Sequence, residues 1–308
     1  MKRAAVVLFV SLAACAPAIV VPGPGAVART ERVAREVEAC VLRLESDVRP
    51  RFQGVAELST EPWRFTIAAV VVKHPAGLLV IDPGFGESIA ADLRRAGPLV
   101  TMVMGTERTK RTVTDALRGA GLRADDVRFA AVTHAHWDHT GGLGDLHQAK
   151  VLVARRELVW AQSLTRFFDE GVMPHHLKRA KERTFVFDFS GPAIDGFEGS
   201  FDLFGDGAVV AVPLPGHTPG STGFLIRGAG GVTWLLSGDT TWTSRGVELP
   251  AHKSLRTFDS ELEPLSSSIG RLAALARNRP DVRVIPAHDA DALAALPDCR
   301  GAEVRVHP

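Results

Sequence analysis

One six-residue segment carries most of the chemistry that this sequence offers. The letters HAHWDH at residues 134–139 place three imidazoles and one carboxylate within six positions. Imidazole nitrogen and carboxylate oxygen bind zinc-type cations at about 2.0–2.2 Å. His134 and His136 are two residues apart, so in an extended segment both side chains lie on the same side. Asp138 and His139 can approach the same point if the chain bends after these two histidines. An isolated H-x-H pair would more often be solvated, but four ligand types at set positions predict a metal site.

The elements around this segment place it at the end of a buried strand. Residues 129–133 (FAAVT) form a short apolar run that is typical of such a strand. Residues 141–142 are both glycine, which permits a sharp bend without a Cβ clash. Because α/β folds usually place their sites at the carboxyl ends of strands, we expect the ligands to lie at that edge of a sheet.

Three further apolar runs are each followed by one residue of a metal-ligand type. The runs and these residues are 208–214 with His217, 232–236 with Asp239, and 282–286 with His288. Each has an ordinary explanation when taken alone, such as a turn, an Asp that caps a helix, or a surface loop. Three separate ordinary explanations would be needed to account for the repetition of this pattern.

The segment THAHWDHTGG at residues 133–142 resembles the signature of the metallo-β-lactamase superfamily of metal-dependent hydrolases. Four other segments resemble the remaining motifs of that family and occur in the family's order. They are LLVIDPG (78–84), PGHTPG (215–220), LLSGDT (235–240) and VIPAHD (284–289). The resemblance covers residues 60–290 and implies an α/β fold, the αββα sandwich of the metallo-β-lactamase type.

The resemblance also implies which residues bind two divalent metal ions, with zinc as the expected metal. The implied ligands are His134, His136 and His217 for one ion, Asp138, His139 and His288 for the second, and Asp239 as a bridge between them. Asp138 is implied as the catalytic residue that receives a proton. A divalent ion lowers the pKa of a water molecule that it binds to about 7, which provides a nucleophile at neutral pH.

Asp82 ends the early strand of the matched region. The resemblance implies that its carboxylate orients a ligating histidine from outside the set of ligands. An Asp before Pro83-Gly84 is also typical of a simple turn, and the sequence leaves both interpretations open.

The substrate is less constrained than the metal site. The bridging carboxylate of Asp239 and the lack of cysteine at any ligand position argue against a β-lactamase, and the pattern resembles the lactonase and glyoxalase II branch. The chain contains no tyrosine, whereas a tyrosine often assists the substrate carbonyl in acyl-homoserine lactonases. We therefore predict an exported dinuclear hydrolase that cleaves a small ester, lactone or thioester. The alternatives are a β-lactamase and a mononuclear iron oxidoreductase of the persulfide dioxygenase type.

Two polar regions each allow two interpretations. Residues 163–185 form either a wall of the substrate pocket or a solvated connecting loop. Arg108, Lys110 and Arg111 either meet an anionic substrate or are simply solvated. The formal net charge of +1 gives no sign of a nucleic-acid surface, so the expected partner is a small-molecule substrate.

The N-terminal residues read as a targeting segment. Residues 1–15 combine a positive start with an apolar stretch too short to span a bilayer, and LAAC at 12–15 resembles a lipobox. The alternative is an ordinary secretory leader that is cut at the AVA of residues 26–28. With the lipobox, residues 16–29 form a flexible tether and 30–308 the hydrolase domain. The protein would be periplasmic and attached to the membrane only through a lipid anchor on Cys15.

Export would leave Cys40 and Cys299 in an oxidising compartment. They form either a disulfide or two buried free thiols, and the sequence favours neither.

Hydrophobic periodicity predicts the remaining elements. Strands are expected at 66–72, 77–81, 129–133, 151–153, 208–213, 223–227, 232–236 and 282–286, and helices at 30–46, 112–119, 156–168 and 259–277. Residues 169–200 are expected to be irregular.

Overall fold

A computed structural model describes residues 19–22, 35–98, 100–101, 110–254, 256 and 258–299. The predicted signal segment with Cys15, the alternative cleavage site and Arg108 lie outside these residues, and only 19–22 of the predicted tether lie within them. None of the helices in the described part of the chain is long and apolar enough to cross a membrane.

Eleven strands in the described residues form two sheets. The six-stranded sheet has the order β1 (Glu38–Pro50), β2 (Pro62–His74), β3 (Gly77–Ile81), β4 (Val127–Ala131), β5 (Lys150–Ala154) and β6 (Thr184–Phe187). The five-stranded sheet has the order β11 (Val282–Ile285), β10 (Thr233–Leu236), β9 (Thr222–Arg227), β8 (Val209–Pro213) and β7 (Phe201–Asp202). Strands β3 to β6 run parallel, as do β10 and β11. Their carboxyl ends can therefore carry a shared site.

The described helices are α1 (Ile89–Ala96), α2 (Val113–Gly119), α3 (Trp137–Thr140), α4 (Arg155–Ser163), α5 (His175–Arg179), α6 (Ser244–Glu248), α7 (Leu262–Asn278) and α8 (Ala290–Leu293). Three hydrophobic cores separate the layers. One core lies between the two sheets and joins Val70 of β2 to Phe224 of β9. A second packs α1 and α2 on the outer face of the larger sheet, and a third packs Leu272 of α7 on the smaller one. The order helix, sheet, sheet, helix is the predicted αββα sandwich.

The predicted helix over 30–46 was wrong for the described residues 35–46, because residues 38–50 form β1; residues 30–34 lie outside the described part of the chain. This strand pairs antiparallel with β2 along most of its length. Ala39 and Val41 face the core between the sheets, whereas Cys40 and Leu42 face the core beneath the helices. A strand that is buried on both faces has a nearly continuous apolar sequence. That continuity also satisfies a helical spacing, so periodicity alone could not separate the two.

Helix α4 and the stretch 169–200 also differ from the prediction. Helix α4 ends at Ser163 instead of continuing to residue 168. The supposedly irregular stretch 169–200 contains α5 and β6. Strand β6 has only four residues, TFVF, and three of them are not fully buried, so its apolar run is too short to establish a strand period by itself.

The structure resolves the open question about the cysteines, since Cys40 of β1 is disulfide-bonded to Cys299. The bond closes a loop with a sequence separation of 259 residues. Closing a long loop restricts the unfolded chain, and a native disulfide commonly contributes about 2–4 kcal/mol to stability.

Replacing both cysteines by serine should therefore lower the free energy of unfolding by about 2–4 kcal/mol. Urea unfolding of the double variant, beside the oxidised parent protein, measures the difference. Equal unfolding midpoints, together with two titratable thiols in the parent, would contradict the disulfide.

Candidate metal centre

The predicted ligands lie at one end of the two sheets. The HAHWDH segment follows β4, Asp239 follows β10 and His288 follows β11, while His217 lies in the connection between β8 and β9. Helix α3 begins directly after His136, and this single turn brings Asp138 and His139 back toward the two preceding histidines.

The structure brings all seven predicted ligands together in two groups. The first group is His134, His136, His217 and Asp239, and the second is Asp138, His139 and His288. Within each group the potential ligand atoms lie within 4.8 Å of one another. Asp239 also approaches the second group, because its Oδ1 lies 3.1 Å from His288 Nε2 and 3.4 Å from His139 Nε2. Its carboxylate therefore has the position expected of a bridge.

Four of the five imidazoles are held from behind through Nδ1. His139 Nδ1 lies 2.9 Å from Asp82 Oδ2, and His217 Nδ1 lies 2.7 Å from Asp259 Oδ1. His288 Nδ1 lies 2.9 Å from the carbonyl oxygen of Thr66. His134 Nδ1 in turn lies 3.0 Å from Thr133 Oγ1. Such contacts fix the orientation of a ring and leave Nε2 for a metal.

Asp82 occupies the position of an orienting carboxylate. Besides contacting His139, it accepts hydrogen bonds from the backbone N–H and the hydroxyl of Thr133, at 2.7 and 2.8 Å. Its backbone is left-handed, with φ of 51°, so the turn interpretation also describes its main chain. The same residue thus forms the turn and holds the histidine.

The chemistry of the donor set fits divalent transition metals. Nε2 of His134 and of His139 and Oδ1 of Asp239 are buried and lack a hydrogen-bond partner among the described residues. His136 presents its other nitrogen to the group, because its Nδ1 lies 3.0 Å from His217 Nε2 while its Nε2 faces Gly171. An unsatisfied buried polar atom costs about 1–3 kcal/mol, and a bound cation would remove that cost. Imidazole and carboxylate together suit zinc, iron, cobalt and manganese.

The electrostatics of the chain favour ligand-competent protonation states of His134, His136 and Asp239. Burial, reinforced by the neighbouring histidines, holds the pKa of His134 and of His136 well below the usual range, so both keep free lone pairs. Burial alone would raise the pKa of Asp239, but His288 and His139 outweigh it and hold that pKa well below its usual value. The bridging position therefore carries a negative charge. For His139, burial is outweighed by Asp82 and Asp138, which raise its pKa well above the usual value, so this ring must release a proton before it can bind a metal.

Two residues that no sequence motif marks, Lys253 and Asp259, complete the support of His217. The Lys253 side chain is buried, with Nζ 2.7 Å from Asp259 Oδ1 and 3.0 Å from His217 Nδ1. Lys253 also donates to the backbone oxygen of Asp239, at 2.6 Å. Burial raises the pKa of Asp259, but Lys253 and His217 outweigh it and bring the value to about 2. Helix α7 begins at Leu262, after the predicted start at residue 259, which leaves Asp259 free of the helix to meet His217.

Glu157 of α4 connects the HAHWDH segment to the PGHTPG segment on the side away from the metal ligands. Its carboxylate accepts hydrogen bonds from Ala135 N at 2.6 Å, Thr218 Oγ1 at 2.7 Å and Gly220 N at 3.0 Å. Ala135 lies between the ligands His134 and His136, and Thr218 follows the ligand His217. Glu157 therefore fixes the position of these two backbone segments relative to each other. Burial raises the pKa of Glu157 to about 7, although the three donors limit the rise.

This carboxyl should make stability depend on pH. Its folded-state pKa of about 7 lies above the ordinary 4.5, so the folded protein holds the proton more tightly than the unfolded chain. Its contribution to stability is then lost as pH rises from about 4.5 to about 7. Between pH 5 and pH 8 the stability advantage of the parent over Glu157→Gln should shrink by up to about 3 kcal/mol. Urea unfolding of chelated protein at both pH values measures this, and parallel pH profiles would contradict it.

Part of the segment 163–185 contacts the centre. The backbone N–H of Trp137 donates to Gly171 O at 2.9 Å, and a Cβ added to Gly171 would lie 2.9 Å from a carbon of the His136 ring. Val172 forms a β-bridge with His136 and is fully buried. Residues 171–172 are thus a wall beside the metal ligands.

The basic residues near 110 do not face an open site in the structure. Lys110 is buried, and its Nζ donates to Glu45 at 2.8 Å. A guanidinium nitrogen of Arg111 donates to the backbone oxygen of Asp115 at 2.6 Å. Both side chains therefore support the local structure.

The aromatic rim differs from a tyrosine-based site. The Trp242 indole N–H donates to Asp239 Oδ2 at 2.7 Å, and its ring centroid lies 5.7 Å from that of His288. Phe258 and Trp160 have ring centroids 6.0 and 6.2 Å from that of His136. An apolar rim of this kind suits a substrate with a hydrophobic portion.

One family model and several known proteins are similar to this chain. The family model described as "Metallo-beta-lactamase superfamily" matches residues 63–288. The N-acyl homoserine lactonase AttM of Azorhizobium caulinodans is 28% identical over 223 residues, which cover 72% of this chain and 81% of that protein. The AttM protein of Agrobacterium fabrum is 28% identical over 225 residues, covering 73% and 82%.

Two solved structures share the fold. An N-acyl homoserine lactone hydrolase with the product N-hexanoyl-L-homoserine at its catalytic metal center has a TM-score of 0.63 and 18% identity, covering 86% of this chain and 98% of that one. AidC, described as a dizinc quorum-quenching lactonase, has a TM-score of 0.58 and 16% identity, covering 83% and 88%. At these identities the likeness establishes the architecture, and the αββα prediction is confirmed.

Proposed function

Because the chain belongs to the metallo-beta-lactamase superfamily of metal-dependent hydrolases, we propose that it is a dinuclear hydrolase that opens the ester bond of a small lactone. The observation that carries the proposal is the position of Asp239 between two separate ligand groups. Its Oδ1 lies 3.1 Å from His288 Nε2 of the second group, and its Oδ2 lies 3.5 Å from His217 Nε2 of the first, an arrangement that suits two adjacent ions better than one. The lactone class is supported by the relatives that are named lactonases.

When bound, two divalent ions would supply an acidified water as nucleophile and polarise the substrate carbonyl. The chain's own residues hold the reacting groups in place. Asp82, Asp259 and the Thr66 carbonyl fix three imidazoles, so little reorganisation is needed during turnover.

Asp138 is the proposed proton acceptor. Its Oδ2 lies 3.6 Å from His288 Nε2 and 3.8 Å from His139 Nε2, beyond hydrogen-bond distance of either. Its side chain is 14% exposed, in contrast to the deeply buried Asp239. A carboxylate at the edge of the centre can take the proton of the attacking water and deliver it to the leaving oxygen.

A substrate panel tests the reaction class. The metal-loaded protein should hydrolyse an N-acyl homoserine lactone or a simpler γ-lactone with kcat/KM at least ~10²-fold above that for a β-lactam, a discrimination of about 2.7 kcal/mol. An aryl ester and a thioester complete the panel. A preference for either would keep the dinuclear hydrolase and replace the substrate class, whereas a preference for the β-lactam would overturn the proposal.

Zinc is the proposed metal, and two ions the proposed number in this centre. A variant with alanine at both His134 and His139 should bind about two fewer zinc ions than the parent, because one ligand of each ion is lost. Elemental analysis after reconstitution measures the difference. A loss of one iron, together with oxygen consumption on a persulfide, would favour the dioxygenase alternative.

We further propose that the chain is exported and anchored by a lipid on Cys15. The charged and apolar residues before Cys15 support export, and the disulfide between Cys40 and Cys299 is typical of an oxidising compartment. Replacing Cys15 by alanine should move the protein from the membrane to the soluble periplasmic fraction. A parent protein that already fractionates as soluble would support cleavage at residues 26–28 instead.

A further inference from the structure

A second cluster of metal-binding residue types lies outside the centre just described. It comprises Asp92 of α1 and the two adjacent histidines His175 and His176 that begin α5. His175 Nε2 lies 2.8 Å from Asp92 Oδ1, and His176 Nε2 lies 3.2 Å from Asp92 Oδ2. Asp92 and His176 are buried, with 4% and 2% of their surfaces exposed. The two imidazoles thus converge on the two oxygens of one carboxylate.

Proton counting identifies the tautomer of His176. The hydroxyl of Thr140 donates to the carbonyl oxygen of His136 at 2.9 Å, as Thr side chains in helices commonly do toward the preceding turn. A hydroxyl has only one proton to donate. The 3.0 Å contact between Thr140 Oγ1 and His176 Nδ1 therefore requires the proton to be on Nδ1.

In the neutral ring, the opposite nitrogen of His176 then faces Asp92 without a proton to share. A neutral ring with its proton on Nδ1 directs the Nε2 lone pair at the carboxylate oxygen 3.2 Å away. Two facing lone pairs in a buried place repel each other, and a cation between them turns that repulsion into attraction.

The remaining contacts of Asp92 are consistent with a carboxylate ligand. The hydroxyl of Ser88 lies 2.6 Å from Asp92 Oδ2, and the Arg179 guanidinium donates to Ser88 Oγ at 2.7 Å. Because Arg179 occupies the acceptor side of this hydroxyl, the Ser88 proton points at Asp92. A hydrogen-bonded carboxylate of this kind is a typical supported metal ligand.

We propose that Asp92, His175 and His176 form a third metal site, which binds one zinc-type divalent ion and ties α1 to α5. The donor set of two imidazole nitrogens and one carboxylate oxygen suits zinc, with water as a fourth ligand. It shares no ligand with the dinuclear centre. The site goes beyond the proposed hydrolase function and does not depend on it.

The position of the site suggests what the ion would do. Helix α5 follows residues 171–172, which form the wall beside His136. Thr140 connects His176 to the backbone of His136. An ion that connects α5 to α1 would therefore also fix the position of residues 171–172. Loss of this ion should affect substrate binding more than the chemical step.

Zinc content after reconstitution of chelated protein tests the site. The parent should bind about three zinc ions per chain, and the double variant His175→Gln/His176→Gln about two. The variant lacking His134 and His139 should lose about two ions and keep this one. The matched control His147→Gln, at an exposed histidine, should keep all three.

Cobalt substitution provides a second readout. Cobalt added to the His134→Ala/His139→Ala variant should give a visible absorption band that disappears when His175 is also replaced by glutamine. If the His175→Gln/His176→Gln variant does not fold, the single variant His175→Gln decides, because that side chain is 23% exposed and its loss should be tolerated.

The outcomes separate the two proposals. Equal zinc content in the parent and in the folded His175 variants would overturn the third site and leave the dinuclear hydrolase standing. A protein that loses one ion in these variants but none in the His134/His139 variant would keep the third site and overturn the dinuclear centre.

Discussion

Replacing Asp138 by asparagine should lower kcat for the preferred substrate by at least ~10²-fold, the lower end of the range for a positioned acid–base group. Asparagine preserves the shape of the side chain but removes the negative charge and the oxygen that accepts a proton. The ion next to His139 and His288 should also bind more weakly, because it loses its only carboxylate from this group. The fold should survive, since Asp138 lies at the partly exposed edge of the site.

Steady-state kinetics, zinc content and far-ultraviolet circular dichroism on the same preparation measure the three consequences. Asp125→Asn is the matched control, because it makes the same chemical change at an exposed residue that forms a surface ion pair with Arg123. Its turnover should stay within about twofold of the parent, as expected for a surface position. A folded Asp138 variant with near-normal turnover and full metal content would show that this segment is not the catalytic centre.

Replacing Asp239 by asparagine should have the larger effect, because this residue contacts both ligand groups. The variant can still accept the hydrogen bond from Trp242, which in the parent is 2.7 Å long, so the change isolates the charge. Without that charge neither ion has its shared carboxylate. Metal ions contribute several kcal/mol to stabilisation of a transition state, so we expect kcat/KM to fall by about 10³-fold or more.

Zinc titration of the Asp239 variant separates affinity from chemistry. We expect weaker binding at both positions of the centre, and excess zinc should restore only part of the activity. Full restoration by excess zinc would mean that the residue acts only as a ligand for one ion. Unchanged affinity at both positions would show that Asp239 does not bridge.

The HAHWDH segment and the strand-end ligands could be predicted because their information is local. Each ligand follows an apolar strand within a few residues, and strands of one sandwich present their carboxyl ends at a common edge. The order of the motifs, the two ligand groups and the αββα architecture were implied by the resemblance to the metallo-β-lactamase superfamily. Strand β1 was not predicted, because burial on both faces removes the alternation of apolar and polar residues by which a strand is recognised.

The supports of the site required the tertiary structure. Glu157 and Thr218 are 61 residues apart, His217 and Asp259 are 42 apart, and Asp92 lies 83 residues before His175. Such separations carry no information about distance in space, since a folded chain can bring any two segments together.

The same reason applies to Cys40 and Cys299, which the sequence allowed either to pair or to stay apart. Their bond depends on Cys299 lying beside β1, as the hydrogen bond from Cys299 N to Val41 O shows. Local sequence thus determined which residues can bind a metal. Only the packing of the two sheets decided which buried groups hold those residues in place, because a side chain's partners depend on segments that are distant in the sequence.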